Sequence, residues 1–236
     1  MTPSERYGAP QDPEAKPAAE EPIVGAVRDS SGSVADRLYR RAKKLSEEGA
    51  LRDAVGVYRE LLTFDPNHLR AHNNLGVLYD RLGDHRAALA EYLAAEALDP
   101  DDVRLQCNIA AMQASLGHYR EAKERLERAL HADPKNADAR ENLGLVYFKK
   151  GLYGPAAEEL KRATELDESR GSAYLYLGEA LNHMDDIDAA MAALERSIEL
   201  RPSARAFYAL GIIYDRKKQP DLAEVMYRKA KELGGW

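Results

Sequence analysis

The stretch NNLGVLYDRLGDHRAALAEYLAAEALDP, residues 73–100, decides the fold. Apolar and small residues recur in it every three or four positions: Leu75, Leu78, Tyr79 and Leu82, then Ala88, Tyr92 and Ala95. That is the period of an α-helix with one buried stripe. Gly83 stands between the two runs, where a residue of positive φ ends one helix and turns the chain into the next. Asp99-Pro100 closes the second run, because proline disfavours helical geometry in the residue before it. The stretch predicts a helical hairpin.

The same hairpin recurs along the chain. Pro66, Pro100 and Pro134 lie 34 residues apart, Pro202 keeps the phase, and Glu168 fills the slot between. Ala54, Ala88, Ala122, Ala156 and Ala190 repeat at the same interval, with Ala223 one residue early. A third column reads Leu75, Ile109, Leu143, Leu177 and Leu210. Each is followed by a small residue: Gly76, Ala110, Gly144, Gly178 and Gly211, with Ala42 ahead of them. A bulky column holds Tyr58, Tyr92, Leu126, Leu160, Leu194 and Tyr227. Six repeats follow, 35–68, 69–102, 103–136, 137–170, 171–203 and 204–236. Gly49, Gly83, Gly117 and Gly151 are expected to adopt the left-handed turn, and Asn67, Asp101 and Asn136 to cap first helices, give or take a residue.

This pattern resembles the tetratricopeptide repeat family, with residues 73–100 close to its consensus. The family's early Trp is absent; Leu38, His72, Gln106, Arg140, Tyr174 and Phe207 take its place. The resemblance implies an all-α, right-handed α-solenoid superhelix of six helix-turn-helix repeats. In that family, first helices line a concave groove and second helices lie outside.

Residues 1–34 differ from the rest. They hold five of the eleven prolines and little that builds a core, so they read as a disordered Pro/Ala/Glu-rich tail. Hydrophobic residues make up 44% of the chain and charged residues 31%, which fits a folded helical protein. The net charge of −6 argues against general binding to nucleic acid. No run approaches the length of a membrane span, no export signal opens the chain, and a single Cys107 excludes an internal disulfide. A cytoplasmic location is expected.

Helical phase divides the first helix of the second repeat into two faces. His72, Leu75, Gly76 and Tyr79 face the core, while Arg70, Asn73, Asn74, Val77, Asp80 and Arg81 face the groove. At the same offset, Asn74, Asn108 and Asn142 form a ladder of amides in three successive repeats. Such a ladder has two uses: to bond the backbone of an extended peptide without reading its sequence, or to make local bonds within the solenoid. Arg70, Asn73 and Arg104 flank the ladder. Val77, Ala111, Leu145, Phe148, Leu175, Tyr176, Tyr208 and Ile212 offer apolar pockets for anchoring side chains. The family's carboxylate clamp is incomplete: Lys43, Asn74 and Arg104 fit it, but Tyr39 and Asn108 stand where basic residues belong.

Catalytic constellations are missing. His68 and His72 have no third metal partner, Cys107 has no adjacent His, and no phosphate-binding loop occurs. No enzyme activity, metal or cofactor is expected. The leading expectation is a scaffold binding a protein or peptide in its groove. A second is self-association into homo-oligomers through an uncapped C-terminal end, where Ile213 and Val225 would be less covered and Trp236 would dock. A third is a regulatory or adaptor subunit of a separate enzyme or secretion complex.

Overall fold

The computed structural model describes residues 26–234, with side chains from Val34 onward. Within these residues the chain forms helices and no strands. Six hairpins follow in order: α1 (Ala26–Glu47) with α2 (Leu51–Phe64), α3 (Leu69–Arg81) with α4 (His85–Leu98), and α5 (Val103–Ser115) with α6 (Tyr119–Ala132). The second half continues with α7 (Ala137–Lys149) and α8 (Tyr153–Leu166), α9 (Gly171–His183) and α10 (Ile187–Leu200), then α11 (Ala204–Arg216) and α12 (Pro220–Glu232). This is the expected all-α solenoid.

The two helices of a hairpin meet where a residue without a Cβ faces a large side chain. A Cβ on Gly76 would stand 2.7 Å from the Tyr92 ring, one on Gly144 2.6 Å from Leu160, and one on Gly211 2.5 Å from Tyr227. Gly178 is tighter still, since a Cβ there meets Leu194 at 2.6 Å and the backbone oxygen of Ala190 at 3.0 Å. The small and bulky columns of the sequence are thus the two sides of one contact. The Leu75, Ile109, Leu143, Leu177, Leu210 column lies buried beside it.

Gly49, Gly83, Gly117 and Gly151 adopt φ of +80°, +80°, +84° and +74°, as their places require. In the last two hairpins Asp185 and Lys218 take the left-handed turn instead, at φ 68° and 58°. Arg216 braces the first of these, bonding Asp185 and the Asn182 carbonyl one repeat back. Asn136 caps α7, and the caps of α3 and α5 fall one residue on from Asn67 and Asp101, at His68 and Asp102, within the expected span. The one-residue shift places His68 Nδ1 to accept from the Ala71 N–H at 3.1 Å.

The column that replaces the family's Trp has its own chemistry. His72, Gln106 and Arg140 each reach the carbonyl of the preceding proline, at 2.9, 3.1 and 2.8 Å. Each also meets a glutamate on a second helix: Glu91, Glu96 and Glu159. In the flanking repeats the pair turns apolar, with Val57, Ala193 and Met226 at the glutamate position of repeat two. Where repeat four lacks its terminal proline, Arg170 ties the turn to α7 through Asp138 at 2.7 Å and Glu141 at 2.8 Å.

Helix α1 begins at Ala26, ahead of the first repeat. No proline lies between Pro22 and the first packed turn, so nothing stops the helix propagating outward from that turn. The rest of the segment read as tail lies outside the described residues, as does Trp236. Ile213 is fully buried rather than less covered, because it packs with Leu194 and Leu210 on the inward side of the last hairpin. Val225 is half-buried; the apolar exposure at this end belongs to Leu222 and Leu233.

Paired glycine substitutions test the close approach. Gly178→Ala should lower the midpoint of urea unfolding, costing ~1–3 kcal/mol from the forced overlap. Gly56→Ala, in mid-α2 with nothing within 4 Å of the added Cβ, should raise it by ~0.5–1 kcal/mol.

Candidate binding groove

First helices approach one another across repeat boundaries, α5 with α7, α7 with α9 and α9 with α11; second helices make no comparably close approach. The first helices therefore line the inside of the curve. Two cavities open on this wall, and most of their lining falls on the columns that helical phase assigns to the groove.

The first has a volume of about 560 Å³ and spans repeats one to four. It brings together Arg70, Asn73, Asn74, Arg104, Asn108 and Asn142 from the sequence-predicted set. Tyr39, Leu69, Asp102, Leu105, Cys107 and Asp138 complete the wall.

The three ladder amides differ in how firmly they are held. Asn74 Nδ2 donates to the Tyr58 hydroxyl at 2.9 Å and the Tyr39 hydroxyl at 3.1 Å. Both of its N–H groups are used, so this rung is part of the packing between repeats one and two. Asn108 Nδ2 reaches Asn73 Oδ1 at 3.5 Å, and Asn142 Nδ2 reaches the Cys107 carbonyl at 3.4 Å. These are long bonds, at the weak end of the range. Among the described residues, no protein hydrogen bond uses Oδ1 of Asn74, Asn108 or Asn142. Two rungs can thus exchange their donors at low cost, and all three offer an acceptor.

Charge in this cavity is arranged in pairs. Arg104 folds back on Asp102 at 3.1 Å. Burial disfavours the Asp102 carboxylate, but hydrogen bonds from the Arg104 side chain and backbone outweigh it and hold its pKa below the usual value. Asp138 pairs with Arg170, while Arg70 is exposed and makes no ion pair within the described residues. Cys107 is 3% exposed. Burial pushes its thiol up to about 12, and the carboxylates of Asp138, Asp102 and Asp133 add to the effect, so it is neutral and a poor nucleophile at physiological pH.

The second cavity, about 650 Å³, spans repeats four to six. It takes in the predicted Phe148, Tyr208 and Ile212, joined by Glu179, Asn182, His183, Arg205 and Ala209. The added residues sit on the same groove columns, so extending the phase rule to polar and small residues finds them. Of the remaining predicted residues, Val77 is exposed, and Leu145 is half-buried on α7. Ala111 and Leu175 pack against core clusters. Tyr176 packs against Phe148, ring centroids 5.4 Å apart.

No three His, Cys, Asp or Glu side chains come together as metal ligands among the described residues. None of the described helices is long and apolar enough to cross a membrane.

These features define a helical-hairpin solenoid with a lined inner wall. A tetratricopeptide repeat model matches residues 39–103, 113–170 and 153–204, and a second matches 204–233, so the chain belongs to the tetratricopeptide repeat family. Proteins of this family are scaffolds for protein–protein interaction, and the chain has that architecture. Among solved structures, a tetratricopeptide repeat protein from Parabacteroides merdae ATCC 43184 superposes with a TM-score of 0.72 at 19% identity, covering 85% of this chain and 78% of its own. MamA gives 0.56 at 27% identity, with 68% of this chain and 94% of that one covered. YrrB, described as having an unusual peptide-binding site, gives 0.52 at 27% identity over 75% and 91%. No curated protein matches the sequence.

The thiol gives a direct check on the inner wall. At pH 8, Ellman's reagent should leave Cys107 unmodified in the folded protein and titrate it fully in denaturant. Since the folded thiol ionises above its unfolded value, the stability tied to its neutral form is intact below about pH 9. That contribution should fall progressively as pH rises further, which thermal melts between pH 7 and 10.5 would show.

Proposed function

We propose that the protein is a non-enzymatic scaffold whose inner wall holds an extended segment of a partner polypeptide. The observation that carries this is the first cavity, where three ladder oxygens have no hydrogen-bond partner among the described residues and two ladder amides are only weakly bonded. An extended peptide offers the complementary groups, an N–H and a C=O at every residue. Neighbouring helices lie about 8–10 Å apart and an extended chain rises about 3.3 Å per residue, so successive rungs would engage roughly every third residue.

Asn74 belongs to the packing, and the grip falls to Asn108 and Asn142, with Arg70 supplying at the rim a cation that makes no ion pair among the described residues. The balance of Arg70 and Arg104 against Asp102 and Asp138 favours a peptide over a phosphate backbone. The unusual peptide-binding site of YrrB lends support at the level of the family. A lone buried thiol fits a reducing compartment, and the cytoplasm is the location proposed.

The test separates binding from stability. Randomised twelve-residue peptides displayed on phage are selected on the full chain, and the affinity of the selected peptides is measured by fluorescence anisotropy. Asn108→Ala combined with Asn142→Ala should weaken binding roughly tenfold or more while leaving the melting temperature nearly unchanged. Asn74→Ala should destabilise the fold by ~1–3 kcal/mol, because it orphans two tyrosine hydroxyls. Unchanged affinity in the double variant would remove the ladder from the site.

A further inference from the structure

The ladder column does not stop at repeat four. After Asn74, Asn108 and Asn142 it continues as Tyr176 on α9 and Ala209 on α11. Main-chain-binding amides thus give way to an aromatic ring and then to a side chain too small to fill its place.

What stands around that gap is organised. The Arg205 guanidinium lies 4.6 Å from the centre of the Tyr176 ring. Glu179 accepts from its Nε at 2.7 Å and its Nη2 at 2.5 Å, which fixes the plane of the fork. Tyr176 lies against the cation and its hydroxyl accepts from Nη1 at 3.1 Å, Glu179 holds the other edge, and the Arg205 side chain remains 49% exposed. Arg205 lines the second cavity together with Phe148, which stands edge-on to Tyr176 at 62° between planes.

We propose that this well seats an aromatic side chain of the bound segment, stacked on the guanidinium of Arg205. The proposal rests on the reading of the groove as a peptide site. A partner cation is opposed by Arg205. A carboxylate would stand beside the Glu179 carboxylate that already neutralises the cation, and would lose its own hydration against apolar walls. An aliphatic group fills the space but removes water from a charged plane and gives nothing back. An aromatic ring does both jobs, since its π face is attracted to the guanidinium while its bulk meets Phe148 and Ile212.

Position fixes the register as well. Asn142 lies on α7, while Tyr176 and Glu179 lie on α9 and Arg205 on α11, one and two helices further along the wall. At about 8–10 Å between helices and about 3.3 Å per extended residue, the aromatic residue falls roughly three to six residues beyond the last rung. One wall grips without regard to sequence and the next selects one side chain.

The experiment uses the phage-selected peptides and the full chain. The selected peptides should share a Trp, Tyr or Phe at one fixed position. Replacing it with Leu should weaken binding to the wild type about tenfold. The same replacement should matter little in the Arg205→Gln/Glu179→Gln variant, which removes the cation without stranding a buried carboxylate. A structural role alone would weaken both peptides equally and overturn the proposal. Peptides that need Asn108 and Asn142 but share no aromatic position would overturn the well and leave the groove reading standing. An aromatic preference that survives the Asn108→Ala/Asn142→Ala variant undiminished would uphold the well and sink the ladder. If no peptide binds and sedimentation shows a dimer lost in both Arg205→Gln/Glu179→Gln and Trp236→Ala, the occupant is a second copy's Trp236 and the partner assignment falls.

Discussion

Everything in this solenoid depends on how closely two helix backbones approach inside each hairpin. A residue with little or no side chain on the first helix receives a tyrosine or leucine from the second, and at Gly178 there is no room even for a methyl group without pressing on a backbone carbonyl. That contact sets the distance between the two helices. The distance keeps the Leu75, Ile109, Leu143, Leu177, Leu210 column dry, and burial of that column supplies the apolar stabilisation of each unit. Because the units stack only on their neighbours, the same contact must be made in each of them.

Much of this was legible in the sequence for a simple reason. A requirement repeated in every unit leaves a column, and a column is visible without coordinates. The helix count, the positive-φ glycines and the inner-wall phase all belong to this class. What could not be read is what varies from unit to unit. His72, Gln106 and Arg140 look unrelated as residue types, yet each reaches the preceding proline carbonyl and a glutamate. Their equivalence lies in donor geometry, which an alignment of letters does not display. The start of α1 was hidden differently, since helix propagation depends on the packed turn it grows from and not only on local composition.

The candidate groove shows the same division. Asn74, Asn108 and Asn142 share a column and do converge on one cavity, but the structure separates them by the bonds they already make. Tyr39 and Tyr58 decide the state of Asn74, and both come from the preceding repeat. Glu179, Arg205 and Ala209 were missed for the converse reason. Their columns change character at repeats five and six, and a search for recurrence passes over a position where the pattern changes.

The ladder amides of repeats two to four each donate backward to the neighbouring first helix, to Tyr39, Asn73 and Cys107. They act as stitches along the inner circumference, where neighbouring helices are nearest and any change of curvature moves them most. A guest that recruits Asn108 and Asn142 must unpick two of these stitches and leave the one at Asn74 sewn. The pitch of the coil would then relax on one side of a fixed seam, so occupancy of the inner wall and the shape of the outer wall are mechanically joined.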